Sequence, residues 1–293
     1  MKRIAIFGNK SQKRNFAPLQ QFFELLAEHA DSIALSIDYR YYEFMHRVIT
    51  VPPLDVHVIA ADEPVCADLV LSIGGDGSFL TTARRVGALS IPIMGINTGH
   101  LGYLAAADIT HPHTLVEEIV RDNYDVQPRS VIEVLSDDAE LPTCPFALNE
   151  VAVLKQNTAS MITVDTTLDG EPLACYRCDG LIVSTPTGST GYNLSVGGPI
   201  IAPTAADWVI SPIAPHSLNM RPLVVGDDSV IGMITSSRSS AYLLSIDGKS
   251  VALPVGSHVT LRKAPYNVQV VIPKNHNFVD TLRRKLLWGI DGL

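Results

Sequence analysis

Along the first 125 or so residues, apolar positions fall in short unbroken runs separated by stretches with helical spacing. Residues 3–8 (RIAIFG), 69–75 (LVLSIGG) and 91–97 (IPIMGIN) are such runs, the pattern of strands buried on both faces of a parallel sheet. Between them, residues 17–30 (APLQQFFELLAEHA) put Leu19, Phe22, Phe23 and Leu26 on one helical face, with Pro18 near the start. Residues 78–88 (SFLTTARRVGA) and 110–123 (THPHTLVEEIVRDN) repeat the spacing, the second with Thr110 as a candidate cap. Strand and helix in alternation predict an α/β half built on a parallel sheet covered on both faces.

Near Asp125 the texture changes. Segments become short, β-branched and punctuated by Gly, Pro, Asn and Asp-Gly. Residues 161–180 predict a hairpin turning at Asp169-Gly170, and residues 240–254 another at Asp247-Gly248. The tail, residues 278–289, returns to a helical pattern with Phe278, Leu282 and Leu286 in register. The expected organisation is an α/β domain over 1–125, rejoined by a tail over 276–293, and a β-rich domain over 126–275.

Composition changes this picture little. The 293 residues are 46% hydrophobic and 18% charged, enough apolar material for a sizeable core. A net charge of -8 argues against a nucleic-acid or membrane-surface partner. A phosphorylated substrate then needs local basic groups or a cation. The opening run (MKRIAIFGNK) breaks at Gly8, too short for a signal-peptide core. No stretch nears the roughly 18 unbroken apolar residues of a spanning helix, so a cytoplasmic setting is expected. Cys66, Cys144, Cys175 and Cys178 make no disulfide framework. Cys175-x-x-Cys178 has no second pair to complete a metal site, and strand residues are the better reading.

Three stretches carry candidate chemistry. The first is Gly74-Gly75-Asp76-Gly77, at a strand-to-helix turn. It matches neither Gly-x-x-x-x-Gly-Lys-Ser/Thr nor Gly-x-Gly-x-x-Gly. Its backbone N–H groups and the helix N-terminus can face an anion. Asp76 reads either as a turn or cap residue or as a base beside a bound phosphate, because phosphoryl transfer to an alcohol wants a carboxylate at the attacking oxygen. The polyphosphate would then need a divalent cation, most simply Mg²⁺. The second stretch is Asn149-Glu150, either a strand-entry turn or an amide and carboxylate suited to paired ribose hydroxyls or an adenine edge. The third is residues 176–201, where Arg177 and Asp179 precede an apolar strand. Thr185, Thr187, Ser189 and Thr190 follow, spaced by Pro186, Gly188 and Gly191. Hydroxyls and glycines at that density make a hydrogen-bonding loop a ligand can approach. Arg177 can pair a phosphate bidentately, Asp179 can accept from hydroxyls or an amide, and Tyr192 offers a flat face.

Together with residues 95–104 (GINTGHLGYL) and 210–224 (ISPIAPHSLNMRPLV), these stretches resemble the NAD kinases, in that family's order. The glycine turn alone is shared with lipid kinases of the diacylglycerol type and with phosphofructokinases; the loop with its upstream Asn-Glu is far more specific. The resemblance implies transfer of the γ-phosphate of ATP, or of polyphosphate in some members, to the adenosine-ribose 2′-hydroxyl of NAD. It implies that Asp76 accepts the proton, with Gly74 and Gly75 supporting the turn and Gly77 against the pyrophosphate. Asn149 and Glu150 would hold the ribose and nearby amide groups. Arg177 and Asp179 would lie by the substrate, Asp179 at the nicotinamide end. Thr190, Gly191, Tyr192, Asn193, Leu194 and Ser195 would line the adenine and ribose pocket, and the Asp247-Gly248-Lys249 hairpin would stand near. No residue is assigned as a metal ligand. The resemblance also implies a Rossmann-like α/β N-terminal domain plus a β-rich C-terminal domain, a nucleotide lying between the two domains, and dimers or tetramers with sites completed across subunits. Cys178, Gly191 and Lys249 depart from the usual Gly or Ser, Ala and Gln. Another kinase sharing the glycine turn, or a non-catalytic NADP-binding sensor, are the alternatives; a binder needs no carboxylate among phosphates.

Overall fold

A computed structural model describes residues 1–9, 16–99, 102–157, 160–274 and 276–288. His100 and Leu101, within the 95–104 stretch, lie outside them. The chain divides into two units, Met1–Pro128 with Val268–Leu293, and Arg129–Asn267.

The first unit is an eight-stranded sheet with helices. In chain order its elements are β1 (Lys2–Gly8), α1 (Ala17–Glu28), β2 (Ile33–Asp38), α2 (Tyr39–Val48), β3 (Val56–Ile59), β4 (Leu69–Ile73), α3 (Asp76–Val86), β5 (Ile93–Asn97), β6 (Ala107–Asp108), α4 (Pro112–Val120) and β7 (Tyr124–Arg129). A late strand, Val268–Pro273, inserts between β5 and β7, giving the order β3-β2-β1-β4-β5, late strand, β7, with β6 beside β5. The neighbours β1–β2, β1–β4, β4–β5 and β2–β3 are parallel. The apolar runs sit where expected, and every residue of β4 and β5 is buried. Leu19, Phe22, Phe23 and Leu26 of α1 are all buried, and Pro18 stands at the helix start.

Differences lie at element ends and in polar elements. Helix α3 begins at Asp76, two residues before the first expected residue, with Gly75 as its N-cap. Thr110 does not cap α4. His111 holds that position without a side-chain bond, and the Thr110 N–H donates to Asp108 Oδ1 at 2.9 Å. The sequence pattern leaves residues 31–59 unassigned, yet β2, α2 and β3 are there. In α2 (YRYYEFMHRV) only Tyr41 and Met45 are buried, so the apolar stripe is thin. Its start is set instead by Asp38, whose carboxylate accepts from Arg40 N–H and Tyr41 N–H.

The second unit is two six-stranded antiparallel sheets. The elements are β8 (Ile132–Leu135), β9 (Phe146–Ala147), β10 (Glu150–Leu154), β11 (Ile162–Leu168), β12 (Glu171–Cys178), β13 (Gly180–Ser184), α5 (Tyr192–Ser195), β14 (Asp207–Ile213), β15 (Leu223–Gly226), β16 (Ile231–Ser237), β17 (Ala241–Ile246), β18 (Lys249–Pro254) and β19 (His258–Lys263). The late strand of the first unit is β20, and the tail helix Phe278–Leu286 is α6. The sheets run β15-β14-β13-β10-β17-β18 and β12-β11-β16-β19-β8-β9. One core joins them, with Val151, Val153, Leu181, Trp208 and Leu244 from the first and Ile132, Val164, Tyr176, Met233 and Leu261 from the second. Both expected hairpins form. Asp169-Gly170 joins β11 to β12 and Asp247-Gly248 joins β17 to β18, each pair with positive φ, as such two-residue turns require.

In α6 the residue buried deepest is Thr281, at 2% exposure, rather than the expected stripe of Phe278, Leu282 and Leu286, which is half-buried. Thr281 Oγ1 lies 2.8 Å from His276 Nε2, and Asn277 caps the helix by accepting from Asp280 N–H.

Gly95 of β5 shows why a strand interior holds a glycine. A Cβ there would stand 2.4 Å from Leu104 O and 2.7 Å from Ala105 Cα, where the chain crosses the strand. Gly95→Ala is therefore expected to lower stability by about 1–3 kcal/mol, measured as a shift in the urea midpoint. An unchanged midpoint would contradict this close approach.

Candidate functional site

In the first unit, β2 lies on one side of β1 and β4 on the other, so the sheet order reverses direction between β1 and β4. The carboxyl ends at such a reversal form the crevice where α/β sheets bind ligands. Here a cleft of about 440 Å³ is lined by Gly8, Asn9, Arg40, Gly77, Ser78 and Arg85, among others. Gly74 has φ 147°, and a Cβ on it would overlap Ser78 Oγ. Gly75 and Gly77 have no such demand, since a Cβ on either meets nothing within 4 Å. These two glycines are not needed for packing within the chain; they leave backbone open at the start of α3, where N–H groups and helix dipole favour an anion.

Asp76 is neither free nor a cap. Its Oδ2 accepts from Tyr103 N–H at 2.9 Å, and its Oδ1 accepts from Leu104 N–H and Ala105 N–H at 3.0 and 3.1 Å. Gly102 makes room for this, because a Cβ there would lie 2.0 Å from Oδ1. Lys285 Nζ of α6 stands 3.7 Å from Oδ2 and 4.4 Å from the Tyr103 ring centroid. Burial, then the charge of Asp76, pushes the Tyr103 hydroxyl upward. An anion in a phosphate-type turn is thus compensated by three N–H dipoles and one ammonium, and the Asp76 side chain keeps 32% exposure.

The second unit carries a matching arrangement. Asp247, in the β17–β18 turn, accepts from Leu148 N–H, Asn149 N–H and Glu150 N–H at 2.8, 2.8 and 3.0 Å. Thr185 ties the same segment from the other side, its hydroxyl donating to Leu148 O and its N–H to Asn149 O. Gly188 allows the two segments to touch, for a Cβ there would stand 2.2 Å from Asn149 O. So fixed, the pair presents two buried oxygens with no partner among the described residues, Asn149 Oδ1 and Glu150 Oε2. Burial, then Asp247, raises the Glu150 carboxyl to about 7.

Among the other sequence-predicted residues, Gly191 stands beside this pair. A Cβ on it would be 3.2 Å from Glu150 Oε2 and 3.7 Å from Asn149 Nδ2. Thr190 ends the short 3₁₀ turn Gly188–Thr190. In α5, Tyr192 and Ser195 are exposed and Leu194 is half-buried. Asn193 is fully buried; its amide donates to Ser189 O and Pro199 O and accepts from the Ser211 hydroxyl. Ser184 and Ser189 likewise bond within the loop, while Thr185 ties it to Leu148 O. Asn193 and these hydroxyls brace the loop, whereas the oxygens at 149 and 150 are left over. Arg177 is exposed on β12, while Asp179 pairs with Lys155 at 2.7 Å, a partner that sequence spacing does not suggest. Lys249 is exposed at the start of β18. Cys175 is exposed and Cys178 buried, as residues three apart on a strand must be, and burial pushes the Cys178 thiol to about 11. The backbone of 103–105 and Lys285 went unread in the sequence, because nothing in residue type marks a main-chain donor and Lys285 lies far along the chain.

A carboxylate in an anion-accepting turn of the α/β unit, and a buried acceptor pair on the separate β-sandwich unit, are each features suited to a phosphotransferase acting on an alcohol. Residues 24–124 match the ATP-NAD kinase N-terminal domain and residues 148–272 the ATP-NAD kinase C-terminal domain. The NAD kinase of Bacteroides fragilis is 44% identical over 293 residues, covering 99% of each chain, and that of Porphyromonas gingivalis 42% over 289 residues, again 99% of each. Yeast NADH kinase, solved with NADH, superposes with a TM-score of 0.88 at 22% identity over 100% of this chain and 89% of that one. An NAD kinase from Archaeoglobus fulgidus, solved with ATP, gives 0.69 at 26% over 96% and 98%. The chain belongs to the NAD kinase family.

The Glu150 shift has a consequence for stability. Its folded carboxyl titrates at about 7, above its ordinary 4.5, so the folded state binds this proton more tightly than the unfolded chain. The contribution favours folding at low pH and is lost as pH rises from about 4.5 to about 7, by at most about 3 kcal/mol. Glu150→Gln should flatten that part of the stability curve in ligand-free protein. Denaturant midpoints across the window test this; identical slopes would show that Glu150 does not titrate there.

Proposed function

We propose that the chain phosphorylates NAD to NADP by the following division of labour. The phosphoryl donor is ATP, and the acceptor is the adenosine-ribose 2′-hydroxyl. The observation that carries the reading is the buried pair Asn149 Oδ1 and Glu150 Oε2: acceptors unused among the described residues, held rigidly by Asp247 and Thr185, and suited to ribose hydroxyls and amide donors. Gly191 lets a flat ligand approach that pair, and Thr190, Tyr192, Leu194 and Ser195 form the rest of its wall. Arg177, Asp179 with Lys155, and Lys249 meet the remainder of the dinucleotide.

Asp76 accepts the proton of the attacking hydroxyl. As the ribose oxygen bonds to the γ-phosphorus, the bond from that phosphorus to the β–γ bridging oxygen breaks, and ADP leaves. Catalysis on this account is positioning and electrostatics. Gly75 and Gly77 leave the α3 N-terminus open to phosphate oxygens, and the fixed 103–105 backbone prevents Asp76 from turning away. Mg²⁺ is the proposed companion of ATP. Such a cation would be held mainly by substrate phosphates and water. When bound, it neutralises charge on the phosphates.

Self-association into a dimer or tetramer is supported by the edge strand β15, where Leu223 and Val224 are exposed beside Leu218 at 89% exposure. Among the described residues no helix is long and apolar enough to cross a membrane; a cytoplasmic setting is proposed, where both nucleotides are at hand.

Asp76→Asn is expected to reduce turnover by at least about a thousandfold while NAD still binds. Coupled detection of NADP, beside calorimetric NAD titration, measures both. Turnover near the parent level would remove Asp76 from its role. A panel of ATP and polyphosphate as donors, with NAD and NADH as acceptors, fixes the finer preference.

A further inference from the structure

We infer that Lys285, on the tail helix α6, is a positioning residue for Asp76, setting its charge balance and direction during phosphoryl transfer. The inference rests on the reading of Asp76 as proton acceptor.

The geometry is specific. Of the two Asp76 oxygens, Oδ1 is taken by two N–H donors, Leu104 and Ala105, and Oδ2 by one, Tyr103. Oδ2 therefore has capacity left, and Lys285 Nζ faces it at 3.7 Å. That is ion-pair range but longer than a hydrogen bond, so the ammonium orients the carboxylate without capping the lone pair that receives a proton. Lys285 is also placed over the Tyr103 ring, 4.4 Å from its centroid, a cation–π arrangement that fixes where the ammonium sits. Its neighbours Arg283 and Arg284 are exposed, whereas the Lys285 side chain keeps only 24% exposure. The same three-residue run of cations thus contains two solvated members and one turned onto Asp76.

The element that carries Lys285 is anchored independently. Thr281, one turn earlier, is buried and bonded toward His276, and Asn277 caps the helix start. A lysine one turn past a fixed residue reaches Asp76 with its stem already placed, so little side-chain freedom is lost.

The chemistry gives this cation a task. A carboxylate among phosphates is repelled by every phosphate oxygen that approaches the turn. Three N–H dipoles offset that repulsion in part; a full positive charge at Oδ2 offsets more and keeps the carboxylate aimed as the donor's phosphates arrive. Lys285 itself gives up no proton and forms no bond. Its removal should therefore reduce the chemical step and leave acceptor binding in place.

The experiment uses the full chain with Lys285→Ala, Lys285→Arg, Arg283→Ala, Asp76→Asn and the double variant Asp76→Asn/Lys285→Ala. Lys285→Ala should lower kcat roughly ten- to a hundredfold with KM for NAD within about twofold of the parent. Lys285→Arg should recover a large part of the rate, and methylammonium added to Lys285→Ala should restore some of it in a saturable manner. Arg283→Ala should behave as the parent. In the Asp76→Asn background, Lys285→Ala should add little further loss, because the residue acts through the carboxylate.

Thermal melts of each variant separate folding from catalysis. A Lys285→Ala kcat near the parent's, with Asp76→Asn inactive, overturns the Lys285 inference and leaves the Asp76 reading standing. Full turnover by Asp76→Asn while Lys285→Ala is impaired overturns both the Asp76 reading and the claim that Lys285 acts through it. A loss in Lys285→Ala that tracks a lowered melting temperature, with no rescue by Arg or methylammonium, assigns Lys285 a merely structural role and also overturns the inference.

Discussion

Among the described residues, each unit has a carboxylate held by three consecutive backbone N–H groups, and the candidate residues of that unit depend on it. Asp76 takes the amides of 103–105, and Asp247 takes those of 148–150. Three charge-assisted bonds to adjacent peptide groups fix a loop more firmly than any single side-chain contact, because the donors cannot rotate independently. The use differs. In the first unit the loop serves the carboxylate, which is itself the proposed proton acceptor. In the second the carboxylate serves the loop, which presents Asn149 and Glu150. One device thus aims a side chain in one case and a backbone segment in the other.

The energetic logic of the second unit follows from this. Two oxygens are buried without partners, a condition that costs free energy in any core. The core beneath, with Trp208 and Tyr242 fully buried between two sheets, supplies the stability that tolerates it. Gly188 and Gly191 remove the side chains that would otherwise fill the space around the pair. Local instability at a ligand-facing group, carried by a rigid support, is the usual physical form of a preorganised site.

Much of this was legible in the chain. Buried runs at 3–8, 69–75 and 91–97 became strands because continuous apolarity has few other uses in a parallel sheet, and Asp-Gly at 169 and 247 gave turns because positive φ demands it. The special residues Asp76, Asn149, Glu150 and Asp247 were visible as residue types out of place. Their partners were less so. The donors to Asp76 are main-chain groups, which every residue has, and α2 escaped notice because a helix with two buried residues leaves almost no periodic trace. In the hydroxyl-rich loop the structure adds a bracing role that residue type does not announce. Asn193 and Ser189 bond carbonyls within 184–201, and Thr185 bonds Leu148 O on the neighbouring segment.

The order of elements along the chain adds one more point. The second unit is a continuous stretch, 129–267, but the first is closed by β20 and α6, made after it. A ribosome therefore makes Asp76 well before its Lys285 neighbour. The sheet stays one strand short, and the turn lacks the Lys285 ammonium, until the whole second unit has been made. A chain cut off before residue 268 carries the glycine turn yet lacks the strand and helix that complete its unit, so closure of the first unit waits on synthesis of the second.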